Sequence, residues 1–274
     1  MISQAAIHGR SHRLMQQNSH DFAITGTPSP DHAFGLVLDG CGSKYADSTP
    51  SHNEVGAKLL GQFAATWLGE RFMVSDKQSS VSGNQVAVNG EQSVAGMLLA
   101  LHQDCVAFLR AISAAIPWCS AAAKARFVST HLLTTLLGFV VTPATAVCFW
   151  QGDGYLVHNG DVTTLDSHNR PDYLGYRVLT PEAREEAANY RSPTTDYRLP
   201  ITHDRPPTTE TFHTCSLDRS SLQWLAVATD GWQAAQLAQL NEPRSSLQLQ
   251  RWLNVQARTP GSFEDDGAVA IWWQ

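Results

Sequence analysis

Aspartates that terminate apolar runs are the residues of this sequence best suited to chemistry. Phe34-Gly35-Leu36-Val37-Leu38 stops on Asp39-Gly40-Cys41-Gly42, and Leu225-Ala226-Val227-Ala228-Thr229 stops on Asp230-Gly231. Asp21 precedes Phe22-Ala23-Ile24, Asp153 sits between Gly152 and Gly154, and Asp265-Asp266 opens the last apolar run, Ala268 to Trp273. An acid followed by glycine is also ordinary turn chemistry. Strand ends on one edge of a sheet can converge, however, and several converging carboxylates require cations between them. Oxygen ligands without cysteine or histidine point to Mg²⁺ or Mn²⁺. Two such ions about 3.5–4 Å apart can share one carboxylate and activate a bridging water for attack on phosphorus.

The elements that would carry these acids follow from periodicity. Ala5 to Ile7 reads as a first strand leading into a loop through His8-Gly9-Arg10-Ser11-His12-Arg13. Phe22–Ile24 and Phe34–Leu38, joined by a Gly/Pro/Ser-rich turn, predict an antiparallel hairpin with Asp21 and Asp39 at the same end. From Asn53, an N-cap candidate, Val55, Leu59, Leu60, Phe63 and Trp67 recur at helical spacing. Residues 75–92 are polar and read as a surface connection, and a second helix is predicted from Ser93 to Ile116, before Pro117. Its stripe is Leu98, Leu101, Cys105, Phe108, Leu109 and Ile112.

β-type runs follow at 132–141 and 144–150, then the Gly152-Asp153-Gly154 turn and a hairpin at Asn159-Gly160, which together predict a β-meander. Residues 167–210 are irregular and read as a flap-like excursion. Short helices are expected over Trp232–Leu240 and near Ser245–Gln256. Strands, two long helices, strands, and short helices with a closing strand do not alternate as β-α-β-α. The expected class is α+β, with two mainly antiparallel sheets in a central sandwich flanked by pairs of helices, as one domain over 1–274.

Composition bounds the partners. The chain has 274 residues, 43% of them hydrophobic, with a net charge of -6. Without a Lys/Arg cluster, nucleic acid is disfavoured. Five cysteines lack a C-x-x-C pair and suggest free thiols in a reducing compartment. No signal peptide is recognised and no apolar run is read as a membrane span. A cytoplasmic monomer is expected. No Gly-x-Ser-x-Gly elbow or Walker loop appears.

With these segments in order, the chain resembles the protein phosphatase 2C-like (PPM) family of metal-dependent Ser/Thr phosphatases, its compact bacterial branch above all. Asn18-Ser19-His20-Asp21-Phe22-Ala23 looks like the first acidic motif, and Asp39-Gly40 like the metal-bridging Asp-Gly. Gly152-Asp153-Gly154 resembles a Gly-Asp-Ser turn, Thr229-Asp230-Gly231 a Ser/Thr-Asp-Gly strand end, and Asp265-Asp266 the closing pair. The resemblance implies two Mg²⁺ or Mn²⁺ ions, with a third left open. Asp39 would bridge them as the catalytic carboxylate, and the Gly40 carbonyl would hold one. Asp230 and Asp265 would complete one shell, with Asp265 preferred to Asp266, and Asp21 would contact the second ion. Asp153 is either a supporting residue or a plain turn.

The implied activity is hydrolysis of phosphoserine or phosphothreonine in proteins by attack of the metal-bridging water. Two departures stand out. Cys41 occupies the position where many relatives carry a histidine acid, and Cys41 is not expected to be a nucleophile. The phosphate-binding arginine has no clear equivalent; Arg13 is the first candidate and Arg10 the second. The alternatives are a weak or inactive member acting as a binding module, and a phosphatase of small metabolites.

Overall fold

The structure, a computed structural model, describes the backbone of residues 1–42, 50–81, 90–167, 171–181, 183 and 209–274. Side chains are described over the same ranges except at 74–81 and 90–93. The expected flap at 167–210 falls largely outside them, because 168–170, 182 and 184–208 are not described.

Ten strands form two antiparallel sheets among the described residues. They are β1 (Ile2–Ile7), β2 (Asp21–Ser29), β3 (His32–Asp39), β4 (Leu136–Val141), β5 (Ala146–Gln151), β6 (Gly154–His158), β7 (Asp161–Leu165), β8 (His213–Leu217), β9 (Trp224–Ala228) and β10 (Gly267–Trp273). One sheet has the order β1-β10-β9-β6-β7 and the other β2-β3-β4-β5-β8. Helices are α1 (Arg10–Leu14), α2 (Asn53–Val81), α3 (Gly90–Ala114), α4 (Ala121–His131), α5 (Ala234–Leu237) and α6 (Ser246–Gln256). Together they build the expected α+β sandwich in α-β-β-α layers.

Alternation along the strands explains why both sheet faces are apolar. Val37, Phe139, Val227 and Ala270 fill the layer between the sheets. Leu36, Leu38 and Val140 face the opposite way, against α2, α3 and α4. On the other sheet, Ala226, Ala228 and Val269 pack outward with Leu249 and Leu253 of α6.

Several local expectations change. The 10–13 loop is the short helix α1, whose first N–H groups are satisfied by tertiary contacts rather than by a local cap. Arg10 N–H donates to the Phe263 carbonyl at 3.0 Å and Ser11 N–H to the Glu264 carbonyl at 2.9 Å. Helix α2 continues to Val81 through much of the expected surface connection. Its buried stripe is Ala57, Leu60, Ala64 and Leu68, whereas Val55 and Leu59 are exposed. Asn53 begins the helix but does not cap it. Its amide donates to the Cys41 carbonyl at 2.8 Å and accepts from Leu133 N–H at 2.8 Å, stitching the end of β3 to the start of the next strand region.

Helix α4 was not expected; Ser120 caps it by accepting from Ala123 N–H at 3.1 Å. Val94–Ala114 of α3 is long and apolar enough for a membrane span by length and composition, contrary to the expectation of no such run. Its Leu98, Leu101, Cys105 and Leu109 are buried in the protein core.

The expected meander is divided between sheets. β4 and β5 pair in one sheet and β6 and β7 in the other, so Gly152-Asp153-Gly154 carries the chain across the sandwich. Positive φ at Gly152 (106°) and Gly154 (142°) makes this crossing a backbone requirement for glycine. The Asn159-Gly160 hairpin closes as expected, with φ of 50° and 97°.

A half-buried ion pair anchors the start of the irregular region. Arg177 donates to both carboxylate oxygens of Asp172, at 3.2 and 2.9 Å, and also to the Thr209 carbonyl. Gln151 at the end of β5 donates to Asp172 at 2.9 Å, and Thr209 N–H donates to it at 3.2 Å. Removing Arg177 would leave the half-buried Asp172 carboxylate with only Gln151 and Thr209 as donors. Arg177→Met is therefore expected to cost roughly 2 kcal/mol, a fall of about 4–8 °C in Tm read by thermal denaturation. A Tm within a degree of wild type would refute the anchoring.

Candidate active site

Strand ends meet at one mouth of the sandwich. Asp21 and Asp39 are direct cross-strand partners on β2 and β3. Because they continue the alternation of Ala23 and Val37, both extend the layer between the sheets beyond its apolar part. Thr229 and Asp230 follow β9 in the facing sheet, and Asp265 and Asp266 lead into β10. Asp153 arrives on the crossing turn, where Ser167 Oγ donates to it at 2.7 Å.

Thr229 joins the two sheets at this point. Its hydroxyl donates to Asp21 Oδ2, and its oxygen accepts from Ala268 N–H at 2.8 Å. Both hydrogen-bonding roles of the hydroxyl are thus used. Thr229→Val is expected to keep the shape and leave Asp21 without its donor. We expect kcat/KM to fall about 10–100-fold, with fold content by circular dichroism unchanged; full activity would show that the contact is incidental.

Electrostatics show what the cluster lacks. Burial, then the Asp39 charge, pushes Asp21 well above the carboxylate range, and the two acids share a hydrogen bond. Burial, then Asp230, lifts Asp39 to about 8, with Asp265 and Asp153 adding to the rise. Burial, then Asp153 and Asp265, lifts Asp230 to about 6. Among the described residues no lysine or arginine is ion-paired with Asp21, Asp39, Asp153, Asp230 or Asp265. Carboxylates gathered this closely by strand ends, with no lysine or arginine of the described residues paired to them, suit hard divalent cations in donor chemistry and charge.

Asp265 and Asp266 have opposite surroundings. Asp266 is buried and accepts from Gly9 N–H at 2.6 Å, His20 N–H at 2.6 Å and His12 Nδ1 at 2.7 Å. Asp265 keeps a side chain that is 67% exposed. Asp266 is therefore committed to holding the loop, whereas Asp265 is exposed, with only its Oδ1 accepting from Asp266 N–H at 2.8 Å. The backbone of Gly40 is set between the two sheets of contacts: its N–H donates to the His20 carbonyl at 3.1 Å, and it bridges Thr134.

Cys41 is buried in the helix-side core beside Tyr173 and Tyr176 rather than presented at the mouth. Burial, then Cys41, raises the Tyr173 hydroxyl well above its usual range. Arg13 lies exposed on α1 with no partner among the described residues, and Arg10 is 3.7 Å from Glu264. The side chain that α1 turns toward the acids is His12.

Sequence reasoning assigned no role to Thr229, His12, His20 or Glu54. His20 is buried between the ring of His12, 4.9 Å away between centroids, and Glu54 Oε2 at 3.8 Å. Burial and then His12 lower its pKa. Glu54 accepts from Asn18 Nδ2 at 3.0 Å. Their signal in the sequence is adjacency alone: His20 to Asp21, Glu54 to the start of α2, Thr229 to Asp230 and His12 to Arg13.

The fold is an antiparallel four-layer sandwich with acidic strand ends at one mouth. The sequence matches protein phosphatase 2C over residues 8–262. The chain belongs to that family, and its function class is that of a metal-dependent protein serine/threonine phosphatase.

Solved structures agree on the fold. The serine/threonine phosphatase of S. agalactiae is similar with a TM-score of 0.55 at 13% identity, covering 100% of this chain and 99% of that one. Stp1 from Staphylococcus aureus gives 0.54 at 12% identity, covering 100% and 94%. A bacterial serine phosphatase gives 0.54 at 11% identity, covering 98% and 96%. No curated protein sequence matches the chain.

Proposed function

We propose that this chain hydrolyses phosphoserine or phosphothreonine in proteins, using two Mg²⁺ or Mn²⁺ ions held by Asp21, Asp39, Asp230, Asp265 and the Gly40 carbonyl. The observation that carries the reading is the convergence of Asp21, Asp39, Asp230 and Asp265 from four separate strand ends. Bound there, divalent cations supply Lewis-acid charge and an activated water for attack on phosphorus. Asp39 sits centrally, since its charge is felt by Asp21 and it feels those of Asp230, Asp265 and Asp153. Asp153, fixed by Ser167, bounds the site on the crossing side. Arg13, exposed on α1, is the cation we assign to the phosphoryl oxygens. Cys41 takes no part, so the leaving oxygen draws its proton from solvent.

Turnover of p-nitrophenyl phosphate and of a phosphothreonine peptide with Mn²⁺, each with and without excess EDTA, tests the proposal. Both are expected to be hydrolysed, and only with the metal. Turnover unaffected by EDTA would refute the metal mechanism. Peptide binding without turnover would support a binding module instead, and turnover of the small ester alone would support a metabolite phosphatase.

A further inference from the structure

We propose that His12 Nε2, together with Asp265, is a nitrogen-containing metal position at the outer edge of the carboxylate site. The inference rests on the reading of that site as a divalent-cation site. His12, Asp265 and Asp266 present ligand atoms that lie within 4.8 Å of one another. The three are not equivalent. Asp266 is buried, and its oxygens are filled by Gly9 N–H, His20 N–H and His12 Nδ1. It therefore acts on His12 and not on an ion.

His12 Nδ1 lies 2.7 Å from Asp266 Oδ2, and in the neutral tautomer that donates there Nε2 keeps its lone pair for a metal. A carboxylate behind a histidine is the arrangement that orients imidazole toward a metal and increases its basicity. His12 Nε2 lies 3.8 Å from Asp265 Oδ1, so nitrogen and carboxylate oxygen face the same space. The His12 side chain is 16% exposed and that of Asp265 67% exposed, which leaves this space open to ions from solvent.

The backbone explains why the pair forms. α1 begins on the carbonyls of Phe263 and Glu264, which brings His12 onto the loop carrying both acids. Asp265 in turn is near enough to Asp39 and Asp230 to raise the pKa of each. The position therefore adjoins the central carboxylates and is not isolated on the surface. Adding one imidazole to an oxygen set shifts preference from Mg²⁺ toward Mn²⁺ and other first-row ions.

Pulsed electron paramagnetic resonance of the full chain loaded with Mn²⁺ alone reads the nitrogen directly. The expected result is a ¹⁴N coupling on bound Mn²⁺, lost in His12→Gln and weakened in Asp266→Asn. Calorimetric titration of His12→Gln should show Mn²⁺ affinity at one position reduced about tenfold, with Mg²⁺ affinity changed much less. Mn²⁺ that binds to wild type without nitrogen coupling would overturn this proposal and leave the carboxylate site standing. Equal losses of Mn²⁺ and Mg²⁺ in a folded His12→Gln protein would also overturn it. If no Mn²⁺ binds to wild type at all, the cation-site reading itself falls.

Discussion

Asp39→Asn is expected to lower kcat/KM on the order of 10³-fold or more while making the metal-free protein more stable at alkaline pH. The first effect follows from removing the one carboxylate that is electrostatically linked to Asp21, Asp230, Asp265 and Asp153. The second follows from what that carboxylate costs the fold. Burial and then Asp230 raise Asp39 from 3.8 to about 8. Between those values the folded chain holds a proton that the unfolded chain has released. Stability of the metal-free protein therefore falls as pH rises from about 4 to about 8 and is level above, where neither state holds the proton.

Asparagine carries no such proton, so the variant should lose part of this slope. Thermal melts in EDTA at about pH 5, 7 and 9 would show the curves diverging as pH rises. Mn²⁺ at 100 times its Kd should stabilise wild type by about 2.7 kcal/mol and the variant by much less. A variant that keeps wild-type turnover, or that is less stable than wild type at every pH, would contradict the assignment of Asp39.

Gly231→Ala is expected to damage fold and site together, although it adds one methyl. A Cβ on Gly231 would lie 1.7 Å from the Asp266 carbonyl oxygen and 2.8 Å from its carbon. These are backbone atoms, so no side-chain rotation can relieve the contact. The loop they belong to is also held, through Gly9 N–H and His20 N–H on Asp266 and through Ser11 N–H on Glu264. The methyl must push Asp265 and Asp266 away from Asp230.

We expect a cost of roughly 3 kcal/mol or more, or about 6–12 °C in Tm, with metal affinity reduced in whatever folds. Gly69→Ala is the control. Gly69 lies inside α2 with nothing within 4 Å of an added Cβ. There alanine should be neutral or stabilising by up to about 1 kcal/mol. Similar Tm values for the two variants would show that close approach is not what requires Gly231.

Local sequence encodes the strand ends, and through them most of the acids. An apolar run that stops on Asp-Gly is visible locally, because burial demands the run and the turn demands the glycine. That Asp21 and Asp39 share one end of a hairpin was legible from strand order and the short turn, but their direct pairing is a register that the continuous apolar runs Phe22–Ile24 and Phe34–Leu38 do not specify. The helix stripe of α2 was misread because Val55 and Leu59 are apolar without being buried, while Ala57 and Ala64 are small because the sheet lies close.

What holds the acids in place comes from long-range packing. Asp265 and Asp266 are indistinguishable as letters. Three donors from residues 9, 12 and 20 make one a fixed support and leave the other open. Thr229 reaches Asp21 across 208 positions of sequence, and His12 reaches Asp266 across 254. No spacing rule encodes contacts of that separation, because they depend on how the two sheets are stacked. The sequence therefore placed carboxylates at the strand ends, and the packing of one sheet on the other made them a site.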